Sequence, residues 1–288
     1  MVASAALAPD AGELHDMVAE QKTLRVAIAG LGAVGLKLAA ALDDGVPGLT
    51  LAAVSAHRHG AARERLSALG IDVPVVAIVD LEPLADLVVE CAPAALLSSI
   101  ARPFLEKGKP AVVLSAGALL ANMDLIDLAR VTGGQVIVPT GAVIGLDAVT
   151  AAAEGRIQSV RMITRKPVAG LVGAPFLVQN NIDIEAITQP LRIFAGSPRE
   201  AAVGFPANLN VAVALGLAGI GVDETQLEIW ADPSLTRNTH TIEVVSDCAT
   251  FSMTIANVPS ENPKTGAITA LSVLACLRKM GAPLRVGT

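Results

Sequence analysis

Three glycines in Gly30-Leu31-Gly32-Ala33-Val34-Gly35 form the sharpest chemical signal in the chain. The spacing is G-x-G-x-x-G. It follows an apolar run at 24–29 (LRVAIA) and opens an Ala/Leu-rich stretch, so a buried strand turns directly into a helix. Gly30 permits the tight turn, Gly32 lets the backbone approach a pyrophosphate, and Gly35 allows close helix–strand packing. The unpaired N–H groups at the helix start then face the phosphates. In this context the motif specifies a dinucleotide site over a chance glycine-rich turn.

Other residues extend that site. Dinucleotide folds usually carry an acidic residue at the end of the second strand, about 20 residues on, to hold the ribose 2′-hydroxyl. Here the segment reads Ala53-Val54-Ser55-Ala56-His57-Arg58, without Asp or Glu. Ser55 can bind a hydroxyl, and His57 and Arg58 can face a 2′-phosphate; the alternative is a solvated loop. The cofactor is therefore NAD or NADP. Cys91-Ala92-Pro93 and Ser115-Ala116-Gly117-Ala118 follow later strand-like runs. They place small residues where open α/β sheets bind ligands, or else they are plain connecting loops.

Farther along, His240 in Arg237-Asn238-Thr239-His240, just before a predicted strand, is the candidate proton acceptor, or else a structural or exposed histidine. The other histidines, His15, His57 and His59, fall in the N-terminal leader or a charged loop. Lys166 and Lys264 are candidates for gripping a carboxylate, or surface lysines. Asn208 and Asn210 interrupt an apolar stretch and need partners if buried.

The elements that must position these groups fall into two patterns. Over the first 140 residues, predicted strands at 24–29, 49–55, 73–78, 87–90, 111–114 and 135–138 alternate with helices at 61–69, 93–105 and 123–129. Such alternation makes a doubly wound parallel sheet of Rossmann type. Beyond Pro139 a helix is predicted at 142–153. Strands with one polar face follow at 156–164, 227–231, 241–245 and 249–255, with helices at 209–217 and 265–279. That pattern gives an α+β domain with a mixed or antiparallel sheet.

Composition narrows the function classes. Of 288 residues 52% are hydrophobic and 17% charged, which excludes a disordered chain. Five Phe, one Trp and no Tyr leave no stacking platform, and a net charge of -6 leaves no basic footprint, so nucleic acid is not the partner. The longest uncharged stretch, 201–222, holds Pro206, two Asn and four Gly, and reads as a buried strand–loop–helix rather than a membrane span. Residues 1–23 form a leader without the basic start of a signal peptide. Cys91, Cys248 and Cys276 are too scattered for a metal site and point to a reduced, cytoplasmic setting. The apolar fraction and the flat second sheet predict a homodimer or larger assembly.

From Leu24 onward the chain resembles the L-aspartate dehydrogenases. The resemblance rests on five ordered segments: GLGAVG, PTGAVIGLD (139–147), FPANLNVAVAL (205–215), ADPSLTRNTH (231–240) and NPKTGAITALS (262–272). It implies a dinucleotide-binding domain of residues 24–140 plus 263–288, whose last helix returns to it, and a catalytic and dimerisation domain of residues 141–262. It implies NAD(P)-dependent oxidative deamination of L-aspartate through iminosuccinate to oxaloacetate and ammonia, with a possible outlet of the imine into pyridine-nucleotide biosynthesis. His240 takes the place of the catalytic histidine, and Ala142 and one Asn of FPANLN, Asn208 or Asn210, that of the nicotinamide contacts. Thr140, Asn238 and Thr265, within the same segments, join Lys166 and Lys264 as candidate substrate contacts. One departure shows at 139–145: the family pattern is Pro-Ser-Gly-Ala-Ile-Gly-Gly, whereas this chain carries Thr140, Val143 and Ile144. Competing readings are another two-domain enzyme, such as homoserine dehydrogenase or dihydrodipicolinate reductase, and a non-catalytic dinucleotide sensor.

Overall fold

The computed structural model describes residues 23–205, 209–259 and 266–287. The expected leader lies outside them except for Thr23, as do Asn208, Lys264 and Thr265.

Strand β1 (Leu24–Ala29) shows how the first half is built. Val26, Ala27, Ile28 and Ala29 are all fully buried, as an all-apolar strand inside a parallel sheet requires. Val26 and Ile28 face one core, and Ala27 and Ala29 face the other. The small pair leaves room for Phe104 and Leu105 on the second face. Helix α1 (Ala33–Asp43), β2 (Leu49–Ser55), α2 (His59–Ala68), β3 (Val75–Val76), β4 (Leu87–Glu90), α3 (Leu97–Glu106), β5 (Pro110–Val113), α4 (Asp124–Thr132) and β6 (Gln135–Ile137) follow. The six strands are parallel, in the order β3-β2-β1-β4-β5-β6. This order reverses direction between β1 and β4, which opens a crevice at their C-terminal ends.

The second half contains α5 (Leu146–Ala153), β7 (Ile157–Lys166), α6 (Pro175–Gln179), β8 (Leu191–Gly196), α7 (Pro198–Gly204), α8 (Asn210–Ala218), β9 (Gln226–Ala231), β10 (Thr239–Ser246), β11 (Thr250–Ala256) and α9 (Ile268–Gly281). Its sheet runs β11-β10-β7-β9-β8, with β7 and β9 parallel and the other pairs antiparallel. Val160 and Met162 of β7 and Ile242 and Val244 of β10 point into the core against Ala212, Val213 and Leu215 of α8. The other face is more polar. There Arg161 bridges Glu228 at 2.7 Å and Glu243 at 3.1 Å, and Trp230 lies beneath the Arg165 and Arg192 guanidinium groups. Val273 and Leu277 of α9 are buried in the core of the first sheet.

Several sequence expectations shift, each for a local reason. The helix expected over 142–153 starts only at Leu146, because Gly145 takes the left-handed φ of +71° and Val143 N–H closes a turn on Thr140 O. A Cβ at Gly145 would meet Met253 Sδ at 2.1 Å, so the turn also needs the space. The strand expected at 73–78 keeps only Val75–Val76, since Pro74 has no N–H to donate and the chain tightens into a 3₁₀ turn at Ile78–Asp80. The segment 201–222 opens with the end of a helix rather than a strand. Ser197 and Glu200 form a capping box that starts α7, a signal readable as Ser-x-x-Glu. Strand β8 was not anticipated; its pattern is broken by a bulge between Arg192 and Phe194. The helix expected from 265 is described from Ile268, and β10 begins at Thr239, so His240 lies within the strand rather than before it.

Candidate active site at the domain junction

The glycine turn has the geometry its spacing implies. Gly30 has φ +105°, and a Cβ there would lie 2.5 Å from Cys91 O. A Cβ at Gly35 would lie 1.9 Å from Gly30 O, so the helix can approach the turn only without a side chain. Nothing lies within 4 Å of the Cβ position at Gly32, the N-cap of α1, which has no side-chain cap. The free N–H groups therefore open onto space that a pyrophosphate can fill.

That space belongs to a cavity of about 680 Å³. Gly30 and Gly32, Ser55, His57 and Arg58, and Cys91, Ala92 and Pro93 all line it. Ala33, Val34 and Gly35 shape the turn and helix start without lining it. Gly30 N–H donates to Ser55 O at 2.7 Å and Cys91 N–H to Ala29 O at 2.8 Å, which ties the three strand ends together. His59 and Arg65 also line the cavity. His59 begins α2 rather than lying in a loop, and Arg65 reaches Leu31 O at 3.2 Å. No Asp or Glu is among the lining residues described. The cradle thus suits a dinucleotide, and its ribose end is basic. Burial, with Glu90 alongside, pushes the Cys91 thiol far above its ordinary range, so it stays protonated.

A second, smaller cleft of about 130 Å³ lies at the junction of the two sheets. Ala116, Thr140, Ala142, Lys166, Asn210, Asn238 and His240 line it, so the structure brings together candidates spread over 125 residues of sequence. His240 and Lys166 are 3% and 5% exposed. His240 Nδ1 lies 3.1 Å from Thr164 Oγ1 on β7. Burial, and secondarily the Lys166 charge, pushes the imidazole down to about 3, so it is neutral at physiological pH. Burial lowers Lys166 to about 8.

Three links fix the walls. Gly117 N–H donates to Asn210 Oδ1 at 3.0 Å, joining the loop after β5 to the start of α8. Gly141 N–H donates to Ser272 Oγ on α9 at 2.9 Å. Asn257 Nδ2 donates to Ala142 O at 2.9 Å, while Asn257 Oδ1 is the buried side-chain polar atom without a partner among the described residues.

Sequence reading missed Glu90, Thr164, Arg65 and Asn257. Alternation over 156–164 does place Thr164 on the face of Val160 and Met162. The others carry no local signal. Glu90 is fully buried and accepts hydrogen bonds from Leu114 N–H, Ser115 N–H and Ser115 Oγ. Its carboxylate holds in place the loop that carries Ala116 and Gly117.

Two family models match. "Homoserine dehydrogenase, NAD binding domain" covers residues 30–139, and "Aspartate dehydrogenase, C-terminal" covers residues 147–280. The L-aspartate dehydrogenase of Bradyrhizobium diazoefficiens is 60% identical over 92% of this chain and 94% of its own. The chain belongs to the L-aspartate dehydrogenase family. L-aspartate dehydrogenase 3 of Bordetella bronchiseptica is 58% identical over 94% of this chain and its entire length. The crystal structure of the Thermotoga maritima aspartate dehydrogenase superposes with a TM-score of 0.69 at 23% identity, covering 92% of this chain and 99% of that one, and so shares the fold.

Burial raises Glu90 from 4.5 to about 7, against the opposing pull of its hydrogen bonds from Ser115 and Leu114. A carboxyl whose folded pKa is raised contributes stability below about pH 4.5 that is lost as pH climbs to about 7. Glu90→Gln keeps the two N–H acceptor contacts and removes the buried charge. At pH 8 it should raise the melting temperature by about 4–8 °C, on the order of 2 kcal/mol, and the gain should shrink at pH 5. Thermal melts at both pH values test this; a variant less stable than wild type at pH 8 contradicts it.

Proposed function

We propose that the protein oxidises L-aspartate with NAD or NADP, and that the cleft around His240 is where the reaction occurs. The observation that carries this reading is the placement of His240 and Lys166 together, buried, where the dinucleotide sheet meets the second sheet. A neutral base and a cation suit a dicarboxylic amino acid, and the family relatives bear the same activity in their names.

Gly32 and the first turn of α1 would hold the pyrophosphate, Ser55, His57 and Arg58 the adenosine ribose, and Ala116, Ala142 and Asn210 the nicotinamide side. Thr140, Lys166 and Asn238 would meet the substrate. The bound dinucleotide supplies a hydride acceptor. His240 takes a proton from the substrate ammonium at Nε2 while its Nδ1–H donates to Thr164 Oγ1. Departure of hydride from Cα leaves a C=N bond. After passing its proton to solvent, the imidazole deprotonates the water that adds to that carbon. It then returns the proton to the leaving nitrogen, giving oxaloacetate and ammonia. Release of iminosuccinate before hydrolysis would feed pyridine-nucleotide biosynthesis. Free Cys91, Cys248 and Cys276 fit the reducing cytoplasm, and no described helix is long and apolar enough to cross a membrane.

Purified protein should reduce NAD(P)⁺ with L-aspartate, and product analysis should separate oxaloacetate from iminosuccinate. His240→Ala should lower kcat by about 10²–10⁴-fold with little change in dinucleotide affinity. Turnover with homoserine but not aspartate refutes the substrate, and near-normal kcat in the variant removes His240 from the chemistry.

The basic ribose end predicts that NADP is accepted, with kcat/KM within about tenfold of NAD, or about 1.4 kcal/mol. Arg58→Ala should weaken NADP selectively, and Ser55→Asp should shift preference toward NAD. Steady-state constants for both cofactors decide this; a preference for NAD above about a hundredfold would mean another group reads the ribose.

We also propose a homodimer formed through the outer face of the second sheet, where Ile163, Val245 and Trp230 interleave with the Arg161–Glu243 pairing. Light scattering should give at least twice the 29.3 kDa chain mass. A stable monomer at micromolar concentration rules the assembly out.

A further inference from the structure

Lys166 and His240 occupy neighbouring antiparallel strands. The register pairs His240 with Thr164, two residues before Lys166, so both side chains project from the same face into the same cleft. Neither reaches bulk solvent to any extent, at 5% and 3% exposure. We propose that Lys166 couples carboxylate recognition to the basicity of His240, so that a substrate carboxylate docking against Lys166 turns the imidazole on as a base. This rests on the aspartate reading of the cleft and assigns Lys166 a second role within it.

The physical case is electrostatic. Below about pH 8 Lys166 is an ammonium, and its charge adds to burial in holding His240 unprotonated. Moving a proton from the substrate ammonium to Nε2 would place a second positive charge beside the first, where solvent screening is weak. A carboxylate resting on Lys166 cancels that field. The N–H bond of the substrate can then break, its electron pair staying on nitrogen and its proton passing to His240. The two groups therefore titrate as a pair that holds one proton until an anion arrives.

The other titratable groups described around the pair are engaged elsewhere or uncharged. Asp232, just beyond β9, donates its backbone N–H to Lys166 O, but its carboxylate is taken by Ser234 Oγ at 2.6 Å and Arg165 at 3.4 Å. The described lining from α8, α9 and residues 138–142 is uncharged. A ligand without a carboxylate leaves His240 switched off, which confines the chemistry to anionic substrates.

The test is a direct titration of the His240 ring by NMR, assigned with His240→Asn, in the full-length protein loaded with NAD⁺. In wild type the ring should stay neutral down to pH 5, and succinate should raise its pKa by at least one unit. Lys166→Met should raise it without succinate and abolish the response. In kinetics the same variant should raise the KM for L-aspartate at least tenfold, leave dinucleotide affinity unchanged, and move the acidic limb of kcat/KM to higher pH. Lys166→Arg, whose charge persists, should lose the decline of kcat/KM that wild type shows above about pH 8. That arm holds even if the Met variant does not fold. Identical His240 titrations in wild type and Lys166→Met, equal succinate binding by both, or an alkaline decline kept by Lys166→Arg would each overturn the proposal. Wild-type turnover of L-aspartate reports separately on the proposed function, because the ring titration needs no turnover.

Discussion

Burying an ammonium and an imidazole side by side is the constraint on which the rest of this structure turns. Such groups are costly to withdraw from water, and the cost depends on how rigidly their surroundings hold them. Here both project from adjacent central strands, β7 and β10, whose register runs from Thr239 to Ser246 with one shift at its far end. A loop could not hold two buried polar groups at fixed separation, because it would relax and let in water. The apolar inner face around Val160, Met162, Ile242 and Val244 keeps the pair dry and the strands straight.

The second requirement is that the cavity beside the glycine turn and the cleft around His240 keep a fixed relation to one another. Two contacts join the halves, Gly117 to Asn210 and Gly141 to Ser272, and a third, Asn257 to Ala142, braces the wall of the cleft. Each uses a backbone group on one side, so the junction is positioned by main-chain geometry rather than by long flexible side chains. Glu90 stands behind the first contact by holding the loop that carries Gly117. Helix α9 stands behind the second, since Val273 and Leu277 anchor it in the first core while Ser272 reaches Gly141. Helix α9 thereby ties the segment at Gly141 to the first core.

The two cavities divide recognition by charge. In the larger cavity His57, Arg58 and Arg65 gather near the end of β2 with no described carboxylate. In the smaller cleft, a cation and a neutral base face amides and hydroxyls. Both chambers favour anions, yet the protein carries a net charge of -6. Many of its acidic groups sit in ion pairs such as Arg199–Asp223 and Arg25–Asp86, and the buried Glu90 is taken up by Leu114 and Ser115.

Whatever depends on neighbours along the chain is legible in the residues alone. Strand β1, the glycine turn, helix α1 and strand β2 follow from apolar runs, glycine spacing and turn residues within about 30 positions, and the structure reproduces β1 and β2 residue for residue. The ordered segments also carried the family, because each keeps its own local composition. Local pattern failed where a single residue overrode periodicity, as Gly145 does at the start of α5 and the bulge does in β8. Which residues face one another is a property of the folded chain. Thr164 meets His240 across 76 positions, Asn257 meets Ala142 across 115, and Ser272 meets Gly141 across 131. Strand register and domain docking set those pairs, and a shift of one residue in the pairing of β7 with β10 would turn Lys166 and His240 to opposite faces of the sheet.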